Sequence, residues 1–145
     1  MHELGTVFYV IREVEQVVEE NHLTKVASVT LEIGEVSGII PYYLTDCWQW
    51  AIQKSQYLKE AELKIETVPA VTFCEDCKQT YPTVKYAKIC PHCKSEHTYL
   101  VSGNEYNIKE IEACLHPITE HGERFFVLRV FWYISYPDRR AVDRQ

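Results

Sequence analysis

The chain has 145 residues, 46% hydrophobic and 25% charged, with 15 Lys and Arg against 21 Asp and Glu for a formal charge of -6. That apolar share supports one real core and excludes wholesale disorder, while the negative balance puts nucleic-acid binding at a disadvantage. The start carries Glu3 and no basic run, and the longest apolar stretch, Phe125 to Ile134, contains Arg129. No secretory signal and no membrane span are expected, so the location is expected to be cytoplasmic.

Leu4, Val7, Phe8, Ile11, Val14, Val17 and Val18 recur at helical spacing, with Glu13, Glu15, Glu19 and Glu20 on the other side, which predicts a helix over about 4–21. Lys25 to Ile33 alternates, with Ala27, Val29, Leu31 and Ile33 on one face, as a half-buried strand does. Gly34 to Gly38 turns the chain and Pro41 opens a second helix, lined by Leu44, Trp48, Ala51 and Ile52 and with Tyr57 and Leu58 near its end. Glu62 to Val68 reads as a second strand and Glu105 to Leu115 as a third, after a break at Ser102-Gly103-Asn104. The two strands on either side of the intervening module are expected to pair and close its base. The predicted class is α+β: a small three-stranded sheet with two helices, interrupted by a module of two CxxC knuckles.

That module carries the clearest chemistry. Six cysteines in a cytosolic chain are not expected as disulfides. Four of them form two pairs, Cys74-x2-Cys77 and Cys90-x2-Cys93, with twelve residues between. Each knuckle aims two sulfurs at one point, and two knuckles complete a tetrahedral four-thiolate shell, the closed coordination of a structural zinc ribbon. Iron in a rubredoxin-like site meets the same geometry, and a redox dithiol pair lacks its βαβ context. His92 and His97 lie beside the knuckles and read as exposed loop histidines, although either could replace a thiolate on rearrangement. Cys47 reads as a small hydrophobe on the second helix, and Cys114 stands outside the pattern.

The amino terminus offers a second donor set. His2 is large for removal of the initiator Met1, so the free α-amine is expected to stay next to His2 and Glu3. The amine, the His2 amide nitrogen and imidazole, and a Glu3 backbone or carboxylate group can chelate a metal in fused rings. In-plane nitrogens of this kind suit Ni(II) or Cu(II) rather than tetrahedral zinc. An exposed terminal histidine with no metal is the plain alternative.

These features together resemble the HypA-type nickel metallochaperones of hydrogenase (and urease) maturation. The resemblance rests on Met1-His2-Glu3 opening an amphipathic helix, Gly34-x-x-Ser37-Gly38, the four knuckle cysteines, Ser102-Gly103, and Ile108-x-x-Ile111-Glu112. It implies nickel on the Met1 amine, the His2 side chain and backbone and the Glu3 backbone, and zinc on Cys74, Cys77, Cys90 and Cys93. It also implies docking with a maturation GTPase and with a NiFe-hydrogenase large subunit precursor. The sequence offers no nucleophile–base pair or phosphate-cradling glycine loop, so no enzymatic activity is expected, and its acidic balance and short apolar runs argue against nucleic-acid and membrane partners. Tyr106 departs from the pattern, standing where members more often have an aliphatic residue.

The implied organisation is a nickel-binding α/β domain over 1–73 plus 102–114, an inserted zinc domain over 74–101, and a C-terminal extension over 115–145. The family pattern ends near the third strand and gives the extension no role. Its aromatic segment 125–134 is expected to add a strand to the α/β sheet, because so many apolar side chains cannot stay in water. His116, Glu120 and His121 within it do not match a zinc-protease helix. A homodimer, side by side or domain-swapped, is compatible with the two short connections to the module. The competing functional class is a zinc-ribbon interaction or regulatory module in which His2 is idle.

Overall fold

The computed structural model describes the backbone of residues 2–115 and 125–128, and the side chains of residues 3–114. Helix α1 (His2–Glu20) leads through a left-handed His22 into strand β1 (Leu23–Gly34). Helix α2 (Pro41–Ala51) and a single 3-10 turn (Ile52–Lys54) precede β2 (Glu62–Val68). The inserted ribbon holds β3 (Val71–Cys74), β4 (Thr80–Pro82), a one-turn helix α3 (Thr83–Tyr86) and β5 (Thr98–Ser102). The chain then returns as β6 (Tyr106–Leu115), and β7 (Phe125–Leu128) follows. None of the helices among the described residues is long and apolar enough to cross a membrane.

The main sheet has the order β2-β1-β6-β7. A parallel pair needs a crossover, and α2 supplies it: β1 and β2 run parallel with Leu31 opposite Ile65. β6 takes the other edge of β1 antiparallel, placing Ile111 opposite Val29 and Glu112 opposite Ser28. The strands leading into and out of the ribbon therefore lie on opposite sides of β1 and do not pair with each other. The expected closure is corrected: β3 and β5, pairing antiparallel inside the insertion, close it instead. β7 pairs with β6, setting Leu128 opposite Ile111 and Phe125 opposite Cys114. The rest of the segment 125–134, together with His116, Glu120 and His121, lies outside the described residues.

One core lies between the sheet and both helices. Val7, Val10, Val14 and Val18 of α1 meet Val29, Leu31 and Ile33 of β1, Ile111 of β6 and Leu44, Trp48 and Ile52 around α2. Spacings of three and four residues on α1 and alternation on β1 present these side chains to one another. Cys47 is half-buried against this core, as a small hydrophobe would be. Tyr57 and Leu58 fall beyond the second helix rather than on it; the Tyr57 carbonyl accepts the Val26 N–H at 3.0 Å, and Leu58 is buried.

Both connections to the ribbon are stitched to the turn after β1. The Val36 N–H donates to the Gly103 carbonyl at 2.8 Å, and the Glu35 N–H to the Val68 carbonyl at 2.9 Å. The Glu35 carboxylate accepts the Ala70 N–H at 2.8 Å. Gly34 and Gly103 make the approach possible: a Cβ on Gly34 would stand 2.0 Å from the Gly103 carbonyl oxygen.

Candidate metal centre

The ribbon has almost no apolar interior. Its buried cluster consists of Cys74, Tyr81 and Cys90, with Cys77 packed alongside. Each knuckle is a tight turn that ends in a left-handed lysine, Lys78 (φ 59°) after Cys77 and Lys94 (φ 61°) after Cys93. The Lys78 N–H donates to the Cys74 carbonyl and the Lys94 N–H to the Cys90 carbonyl, both at 3.0 Å. The two knuckles thus repeat one local structure, because the same C-x2-C-K spacing recurs in the sequence.

The repeat brings the four sulfurs together. Cys74 Sγ lies 3.6 Å from Cys93 Sγ, Cys77 Sγ lies 3.5 Å from Cys90 Sγ, and all four fall within 4.8 Å of one another. A tetrahedral zinc with Zn–S bonds of about 2.3 Å requires sulfurs roughly 3.8 Å apart. The cluster fits a zinc site.

Electrostatics at the thiols favour anionic sulfur in places. Burial opposes ionisation of Cys90, but backbone N–H groups of Cys93 and His92 aim at its sulfur and bring its pKa down to about 7. Cys77 moves the other way, pushed up to about 12 chiefly by burial, with the neighbouring thiols adding to the rise. A metal ion would relieve this competition by holding all four as thiolates. His92 and His97 stay outside the shell. His97 is exposed, with Nδ1 3.3 Å from Asp76 Oδ2, and Asp76 is held below the usual carboxylate range first by the Ser95 hydroxyl and then by His97.

The terminal donor set is placed only in part. Met1 and the His2 side chain lie outside the described residues, while the His2 backbone opens α1 and Glu3 is half-buried in its first turn. The first four N–H groups of an α-helix have no partner within the helix, so the His2 and Glu3 amides are not committed to its ladder. Sequence reasoning passed over two residues near this end and the junction. Tyr106 stands out in the sequence only as an aromatic where the family more often has an aliphatic residue, yet its hydroxyl donates to the Thr6 carbonyl of α1 at 2.9 Å. Glu35, inside the Gly34–Gly38 turn, clamps Ala70; its signal was an acid directly after a glycine at a strand end.

A small α+β domain with an inserted four-thiol ribbon defines a metal-binding protein of the zinc-ribbon kind. Residues 1–113 match the family described as hydrogenase/urease nickel incorporation, metallochaperone, HypA, and the chain belongs to that family. It is 31% identical over 112 residues to the hydrogenase maturation factor HypA of Albidiferax ferrireducens, covering 77% of this chain and 98% of that protein. With the corresponding factor of Actinobacillus succinogenes it shares 32% identity over 111 residues, covering 77% and 97% respectively. The solution structure of the Ni metallochaperone HypA from Helicobacter pylori has the same fold, with a TM-score of 0.61 at 23% identity over 79% of this chain and 98% of that one. Membership makes this a protein of nickel-dependent hydrogenase maturation, with nickel as cargo and zinc as its structural metal.

Proposed function

We propose that the chain binds Ni(II) through the Met1 amine, the His2 amide and imidazole and the Glu3 backbone, and delivers it to a NiFe-hydrogenase large subunit precursor. The observation that carries this reading is the family match over residues 1–113, which begins at the Met1-His2-Glu3 donor set. The helix adds physical support. Deprotonating the His2 and Glu3 amides breaks no helical hydrogen bond, and the positive end of α1 stabilises the resulting amidates. The maturation GTPase would be a docking partner, and the setting cytoplasmic. Cys74, Cys77, Cys90 and Cys93 would hold the zinc, which supplies the ribbon with a folded centre and no open coordination position. The protein would act as a carrier rather than an enzyme, and nucleotide hydrolysis by the pure chain would count against this.

Nickel titration of the untagged protein tests the proposal. One Ni(II) per chain is expected, lost in His2→Ala while the cysteine-bound zinc stays. Unchanged nickel stoichiometry in His2→Ala would overturn the terminal site and leave a zinc-ribbon interaction module as the better reading.

A further inference from the structure

The first turn of α1 is held differently from the rest of the helix. Gly5 is exposed, with open space where a Cβ would stand, and the first residue sealed in the core is Val7, 1% exposed. Between them lies Thr6, whose carbonyl accepts the 2.9 Å hydrogen bond from the Tyr106 hydroxyl. Tyr106 begins β6, directly after the connection from the ribbon, and packs against the main core. Burial, with Tyr9 adding to it, raises its pKa, so the hydroxyl remains a donor throughout the physiological range.

We propose that Tyr106 is a positioning residue for nickel carriage: its hydrogen bond to Thr6 sets the point beyond which α1 does not unwind, while Gly5 eases opening of the turn at residues 3–5. The inference rests on the terminal nickel reading above. A glycine in the first turn lowers the cost of opening that turn, and none of residues 3–5 is sealed in the core: Glu3 and Leu4 are half-buried and Gly5 is exposed. Opening past Thr6 is different. It would strip the half-buried phenol of its acceptor and pull Val7 from the core. The helix end is therefore kept at Thr6, close in sequence to the nickel ligands, and its free N–H groups stabilise amidate charge there. Because Tyr106 follows Gly103 and Glu105, the same anchor ties the ribbon's return path to the nickel-bearing helix.

The test uses the full-length, zinc-loaded, untagged protein with Tyr106→Phe, Gly5→Ala and His2→Ala. Amide hydrogen exchange is read at Val10 and Ile11, whose helical acceptors are the Thr6 and Val7 carbonyls, with Phe8 and Tyr9 reporting the turn before them, and Ni(II) release is timed against a competing chelator. Tyr106→Phe is expected to speed exchange and nickel release by about three- to tenfold, the weight of one hydrogen bond. Gly5→Ala should slow both, since alanine fits the open space and firms the turn. Zinc content should not change in either variant. Wild-type exchange in Tyr106→Phe overturns the anchor, as does faster exchange spread equally through β1 and β6. Wild-type nickel release in Tyr106→Phe and Gly5→Ala, in a protein whose nickel is lost in His2→Ala, overturns the link to carriage. Retention of nickel by His2→Ala instead overturns the terminal-site reading, and the exchange data still judge the anchor.

Discussion

Cys74 and Cys93, nineteen residues apart, bring their sulfurs to 3.6 Å, and Cys77 and Cys90 do the same at 3.5 Å. Both contacts cross from one knuckle to the other, so the ribbon's two halves are joined at the metal position rather than through an apolar core. Chelating the zinc should therefore melt residues 74–93 and leave the α/β core standing, whose buried cluster draws on α1, α2, β1 and β6. Far-ultraviolet circular dichroism before and after chelation checks this: most of the helical signal should persist. Loss of that signal would show the two parts to be one folding unit.

Trp48 connects α2 to the turn before β2. Its ring is fully buried, and its indole N–H donates to the Ala61 carbonyl at 2.9 Å. Trp48→Phe removes that donor, leaves a void and should cost about 2–3 kcal/mol. Urea denaturation measures the loss; a change under 1 kcal/mol would mean that the carbonyl finds another partner and that the core closes around the smaller ring.

The glycines at the ribbon junction should differ sharply from Gly38. Gly34→Ala drives a methyl to 2.0 Å from the Gly103 carbonyl, and backbone must move to admit it. Gly38 has φ +80° but open space around it, so Gly38→Ala meets only the left-handed backbone cost. The expected order of destabilisation is about 2–3 kcal/mol for Gly34→Ala against about 1 kcal/mol for Gly38→Ala. Thermal unfolding of the pair decides it, and an equal effect would contradict the close approach of the two connections.

The extension after β6 is open to a register test. Phe125 of β7 stands opposite Cys114 of β6. Partners in an antiparallel ladder have Cα separations of roughly 4.5–5.5 Å, within disulfide range. Phe125→Cys should therefore cross-link to Cys114 under mild oxidation with the zinc site intact, read as a loss of two hydrogens by mass spectrometry after digestion.

Much of the local structure was legible in the residues themselves. Glu62–Val68 is a strand with the bounds its alternation marks, and Pro41 opens α2 where a missing N–H does no harm. The short strands Val71–Cys74, Thr80–Pro82 and Thr98–Ser102 were not legible, because three to five residues give no periodicity to read. The paired cysteines, whose ligand spacing is itself local, determined the four-sulfur cluster. The candidate donor groups of Met1-His2-Glu3 follow from residue type alone and need no fold to be recognised.

Tertiary structure decided which strands meet. The crossover through α2 puts β2 on one edge of β1 and leaves the other for β6, so strands that flank the ribbon in sequence are separated in space. It also decided that Tyr106 reaches Thr6, a hundred residues away in the chain, and that Glu35 holds Ala70. Periodicity shows which face of an element is apolar, but not which element covers it. That choice depends on long-range chain closure and packing, which no local window of residues contains.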